Sequence, residues 1–114
     1  MCSEIKEYLI SLNETDTMFI LRSLRNTARV IKNEVAEQVA AIEARGNATI
    51  EELIPLVSGA NEKEVMDTGD ISKGLLHCGQ AIGLIHDYPS VKDIMQNILS
   101  EAERTKSRLH SLTS

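Results

Sequence analysis

Arg22, Arg25 and Arg29 stand three and four residues apart in RSLRNTAR, the one local cluster of basic side chains in the chain. On a helix that spacing shares one face. A nearby helix start would add its backbone amides, so the set is suited to gripping a phosphate or a carboxylate. Structural ion pairs to Glu14 and Asp16 are the plainer alternative. His77-Cys78 puts a base beside a nucleophile, but adjacent helical residues point about 100° apart and cannot act on each other. His77, Cys78, His86 and Asp87 are metal-ligating types whose spacing matches no tetrahedral pattern. No catalytic residue and no metal site is therefore assigned. The acids show no apolar-flanked pair for acid–base work, and no glycine loop of the phosphate-cradling kind is visible. The remaining oddity is Gly74, Gly79 and Gly83, three glycines within ten residues. In a helix each would cost about 0.5–1 kcal/mol against alanine. They point to close approach by a backbone or a ligand, or to tight helix packing.

The elements that must position these residues are mostly helical. Ile5, Leu9 and Leu12 predict a short helix over 3–13, with Ser3 as N-cap. Thr17-Met-Phe-Ile-Leu21 is rich in strand formers and is the best strand candidate. From Asn26, the spacing of Ala28, Ile31, Val35, Val39 and Ile42 predicts a helix that ends at Arg45-Gly46. Thr49 and Glu52 form a capping box for the next helix, which Pro55 interrupts unless it falls inside about the first turn or bends the helix, and which closes at Gly59. One helical turn is expected around Glu62–Met66, and Asp70 reads as the N-cap of a glycine-rich helix over 71–86. Pro89-Ser90 opens the longest helix, whose stripe runs through Val91, Ile94, Met95, Ile98, Leu99, Ala102, Leu109 and Leu112. The expected fold is mainly α: about five helices in a small bundle-like module, at most one short strand and no complete barrel. Residues 1–114 form a single helical domain.

Composition narrows the function. The 114 residues are 42% hydrophobic and 25% charged, typical of a globular domain rather than a disordered chain. Three aromatics, no Trp and a net charge of −5 argue against nucleic-acid platforms and basic membrane-surface binding. Charge is even along the chain, with six basic residues in each half and nine and eight acids. Two cysteines give no disulfide framework, the opening MCSEIKEYLI is no signal peptide, and no apolar run reaches the ~20 residues of a membrane span. The expectation is a reduced, soluble, cytoplasmic protein with no nucleic-acid or membrane partner.

Two segments, DTMFILRSLRNTARVIKN (16–33) and GLLHCGQAIGLIHDYPSVKDIMQNILSEAE (74–103), with IEARGNATIEELIPLVSG between them, carry a family likeness. Together they resemble the C-terminal third of the nitronate monooxygenase (2-nitropropane dioxygenase) family. These are FMN-dependent TIM-barrel enzymes related to quinone reductases and flavin-dependent enoyl reductases. The resemblance implies the family's second, helical domain plus its C-terminal helix. It also implies that Gly79 and Gln80 face the flavin side of a domain cleft, as cofactor-binding residues. A chain of this length cannot build a barrel of about 250 residues, so no cofactor is expected on the isolated chain. A cap without its barrel must cover its apolar face, and a homo-oligomer is expected. The alternatives are one component of an oxidoreductase completed by a barrel-bearing flavoprotein, and a helical protein-interaction module.

Overall fold

A computed structural model describes all 114 residues. The elements in chain order are α1 (Ser3–Ile10), a 3-10 turn (Glu14–Asp16), β1 (Thr17–Ile20), β2 (Ala28–Ile31), α2 (Glu34–Ala44), α3 (Ile50–Val57), α4 (Gly59–Thr68), a second 3-10 turn (Gln80–Leu84) and α5 (Val91–Thr113). The chain is mainly helical and contains no barrel.

β1 and β2 form an antiparallel hairpin in which Phe19 faces Arg29 and Met18 faces Val30. The helix expected from Asn26 thus starts later: residues 28–31 are strand, and α2 begins after Asn33. The spacing of Ala28, Ile31 and Val35 imitated a helix because a four-residue strand and a turn happened to keep the step of three and four. Inside β2 the period is two. Val30 joins a core with Ile20, Leu21, Val35, Ala36, Val39, Leu53 and Leu75. Ile31 points the other way, into a core with Ile5, Leu12, Val65, Leu76 and Ile82. The hairpin is therefore a middle layer, with α2 and α3 on one face and α1, α4 and the second 3-10 turn on the other.

The helix expected over 71–86 does not form. Leu76 accepts from the Ile31 amide at 2.9 Å, and the Cys78 amide donates to Arg29 at 3.1 Å, so residues 76–78 lie against the free edge of β2. Leu75 and Leu76 are both buried, one in each core. Neighbours on a helix would diverge by only about 100°, whereas extended backbone sends them to opposite sides. Asp70 does cap, but it caps a turn: its Oδ1 accepts from the Ser72 amide at 3.0 Å and the Ser72 hydroxyl at 2.6 Å.

Helix ends follow the local chemistry. Gly46 and Gly69 take the left-handed conformation just beyond α2 and α4, at φ 78° and 80°. Thr49 and Glu52 form the capping box of α3, and Glu52 also accepts from Arg45 at 2.7 Å. Gly59 does not close α3. Ser58 ends α3 and caps α4, accepting from the Ala60 amide, so α4 extends well past the single turn expected there. α1 starts at Ser3, with Cys2 rather than Ser3 in the cap position.

One side chain ties the layers together. Asn33 Oδ1 accepts from the Ala36 amide at 2.9 Å and caps α2. Its Nδ2 donates to the Ile71 and Gly74 carbonyls, each at 2.9 Å. The amide thus serves a helix start and the strap that follows α4 together. Asn33→Ala is expected to lower unfolding stability by about 2–4 kcal/mol, a lost cap plus two lost hydrogen bonds. Asn33→Asp keeps the cap acceptor but turns an acceptor toward two carbonyls, and should destabilise to a similar degree. Urea denaturation of the three proteins checks both.

Candidate functional site

The RSLRN segment is the turn of the hairpin. Leu21 and Arg25 hold positive φ, 59° and 55°, a conformation that costs a non-glycine residue on the order of 1 kcal/mol or more. What holds it is a carboxylate from α2. Glu43 Oε2 accepts from the Leu21 amide at 2.8 Å, while Oε1 accepts from the Ser23 amide at 2.9 Å and the Ser23 hydroxyl at 2.6 Å. Partial burial pushes the Glu43 pKa up, but the Ser23 hydroxyl and the amides of Ser23, Leu21 and Arg22 outweigh it and leave it lowered. Turn amides do converge on an anion here, and that anion is the chain's own Glu43.

This rearranges the arginines. There is no helical face for Arg22, Arg25 and Arg29 to share, and no helix start beside them. Arg29 lies over the Phe19 ring at 4.0 Å and donates to Thr17 Oγ1 at 2.7 Å. Arg22 lies near the same ring at 5.7 Å. Arg25 is exposed at the tip of the turn. None of the three forms an ion pair, with Glu14, Asp16 or any other acid. The partner of Arg22 and Arg29 is the exposed Phe19 ring, by cation–π attraction.

His77 and Cys78 alternate as strand residues do. The His77 Nδ1 lies 3.3 Å from both Glu62 carboxylate oxygens, and its amide donates to the same group. Cys78 packs against the second core. Burial raises its thiol pKa, against a smaller pull downward from Arg29, so the nucleophilic thiolate is scarce. No three His, Cys, Asp or Glu side chains gather where they could hold a metal.

Two of the three glycines are forced by contact. A Cβ on Gly74 would stand 2.8 Å from the Asn61 backbone, and one on Gly83 would meet the Glu14 carboxylate and, at 2.8 Å, the Glu14 amide nitrogen. Gly83 thereby lets the two 3-10 turns pack together. A Cβ on Gly79 would make only an ordinary contact, 3.9 Å from the Ala81 amide nitrogen. Gly79 and Gln80 are exposed at the edge of the body, and Gln80 lines an open hollow with Glu14, Ala81 and Leu84. Glu43, Glu62 and Asn33 are the polar anchors that sequence reasoning missed. Asn33 carried a readable signal, since asparagine ahead of Val35, Ala36 and Val39 is an N-cap. Glu43 and Glu62 act on residues more than a dozen positions away and carried none.

No family model matches the chain. Its fold is similar to the structure of FabK from Thermotoga maritima, with a TM-score of 0.79 and 25% sequence identity over 96% of this chain. The chain spans about a third of that protein's length, 34%.

Glu43→Gln should loosen the hairpin turn and lower stability at neutral pH by about 1–3 kcal/mol, the range for losing a charged acceptor. A carboxylate whose pKa is lowered by folding stabilises fully above its unfolded value and loses that contribution as pH falls through the folded one. The gap in urea midpoint between wild type and Glu43→Gln should therefore shrink below the ordinary glutamate value of 4.5. A gap independent of pH down to acid unfolding would contradict the role given to this carboxylate.

Proposed function

We propose that this chain is a helical module of an FMN-dependent, nitronate monooxygenase-like oxidoreductase, non-catalytic on its own and self-associating. The observation that carries the reading is the likeness to FabK along 96% of this chain but only 34% of that one. The segments that resemble the nitronate monooxygenase family in sequence, 16–33 and 74–103, make up much of the chain that this likeness covers. Chemistry within the 114 residues supports the non-catalytic part. Burial raises the pKa of the Cys78 thiol, His77 is turned onto Glu62, and the amide nest of the hairpin turn is filled by Glu43.

Self-association is supported by α5. This 23-residue helix buries no residue, and it stretches the molecule to 61 × 32 × 19 Å with a radius of gyration of 18.7 Å. A compact chain of this length would have about 13 Å. Val91, Ile94, Met95, Ile98, Leu99, Leu109 and Leu112 are all left exposed along it, a stripe that water penalises.

A second reading assigns the chain to an oxidoreductase completed by a barrel-bearing flavoprotein. The exposed Gly79 and Gln80, with Leu84 beside them, favour it, because residues that lined a flavin cleft would stand bare without the other polypeptide. Arg22 and Arg25, which have no carboxylate partner, would remain open to a phosphate-bearing ligand in that assembly.

Titrating FMN with the purified chain and following flavin fluorescence and absorbance tests the main reading. It predicts unchanged flavin fluorescence, a colourless protein and no oxidation of nitronates. Stoichiometric flavin binding by the chain alone would refute it. Co-purification with an FMN-carrying polypeptide would favour the second reading.

A further inference from the structure

The stripe on α5 has a stricter order than an amphipathic face needs. Val91, Met95, Ile98, Ala102, Thr105, Leu109 and Leu112 follow one another at steps of four and three, without a break, from the first residue of the helix almost to its last. That is the a/d spacing of a two-helix seam, with Met95, Ala102 and Leu109 at a and Val91, Ile98, Thr105 and Leu112 at d. The charged flanking positions are Glu101 and Arg108 on one side and Lys92 and Lys106 on the other. The seam is apolar at every position but Thr105, and no element of the chain covers it.

We propose that α5 pairs with α5 of a second copy of this chain, antiparallel, centred between Ala102 and Thr105. This rests on the self-association reading above and says which surface performs it. In this register Met95 meets Leu112 of the second copy, Ile98 meets Leu109, and Ala102 meets Thr105, with the same layers repeated by the two-fold axis. The two small residues meet at the centre and large aliphatics fill the layers on either side. Each Glu101 then faces Arg108 of the second copy, giving two complementary pairs beside the seam. The aliphatic stem of Lys106 covers Leu99 of the second copy while its ammonium reaches water.

The antiparallel sense follows from the placement of mass. Residues 1–90 form a body at the N-terminal end of α5, and the molecule is 32 Å across its second axis. Paired helices stand only about 8–10 Å apart, so parallel pairing would crowd two bodies side by side at one end of the seam. Antiparallel pairing puts them at opposite ends of a helix about 35 Å long.

Multi-angle light scattering after size exclusion, on the whole chain and three sets of variants, tests this. The wild type should be a dimer. Ile98→Glu should be a monomer with unchanged circular dichroism of the body, because Ile98 packs on no buried residue of its own chain. Arg108→Glu should weaken the dimer by about tenfold or more by setting two acids face to face, and Glu101→Arg with Arg108→Glu should restore it. A monomeric wild type would overturn the proposal. A dimer that survives Ile98→Glu would overturn the seam while leaving self-association intact. Weakening by Lys106→Glu but not by Arg108→Glu would mean parallel pairing and would overturn the register. Flavin absorbance in the same peak reads on the non-catalytic reading alone, so the two claims fail separately.

Discussion

Val30 and Ile31 are neighbours in one short strand, and the two-residue period of that strand sends them into two different cores. A two-stranded hairpin is marginal by itself in water. Here one face is covered by α2 and α3 and the Ile31 end of the other is buried as well, and its free edge is closed by Leu76–Cys78, whose own Leu75 and Leu76 repeat the divergence. Each core is small: eight buried residues in one and six in the other. Neither would support a domain of this size alone. The pairing of β2 with the strap couples them, and Asn33 anchors the strap beside that pairing by bonding the Ile71 and Gly74 carbonyls.

The coupling explains where polar chemistry has gone. Three features that suggest a site in sequence are each consumed by the architecture: the turn amides by Glu43, the Arg29 guanidinium by Phe19 and Thr17, and the His77 ring by Glu62. What remains accessible lies at the margins of the body, at Arg22 and Arg25 in the hairpin turn, at Gly79, Gln80 and Leu84, and along α5.

Elements whose stability is local were legible in the sequence. α5, with Ser90 as its cap, the capping box of α3 and the glycine closing α2 all rest on residues within a turn of one another. β1 was legible from its strand formers. β2 was not, because four strand residues running into a helix kept a helical step, and only the cap chemistry of Asn33 marked the boundary. The strap at 74–83 misled for a different reason. Its Gly74 and Gly83 do signal close approach, as their count suggested, but the approaching atoms belong to Asn61 and Glu14. Those contacts, like the grip of Glu43 on the turn, join positions far apart in the chain. Periodicity carries no trace of such pairs.

Native-state amide hydrogen exchange followed by mass spectrometry tests the coupling most directly. If β2 and the strap are one structural unit, the amides of Ile31 and Cys78 exchange by a shared opening, and peptides covering 28–31 and 75–78 are protected to the same degree. Protection confined to 28–31, with 75–78 exchanging at the rate of an open loop, would contradict the account, because the two cores would then have no common strand edge to join them.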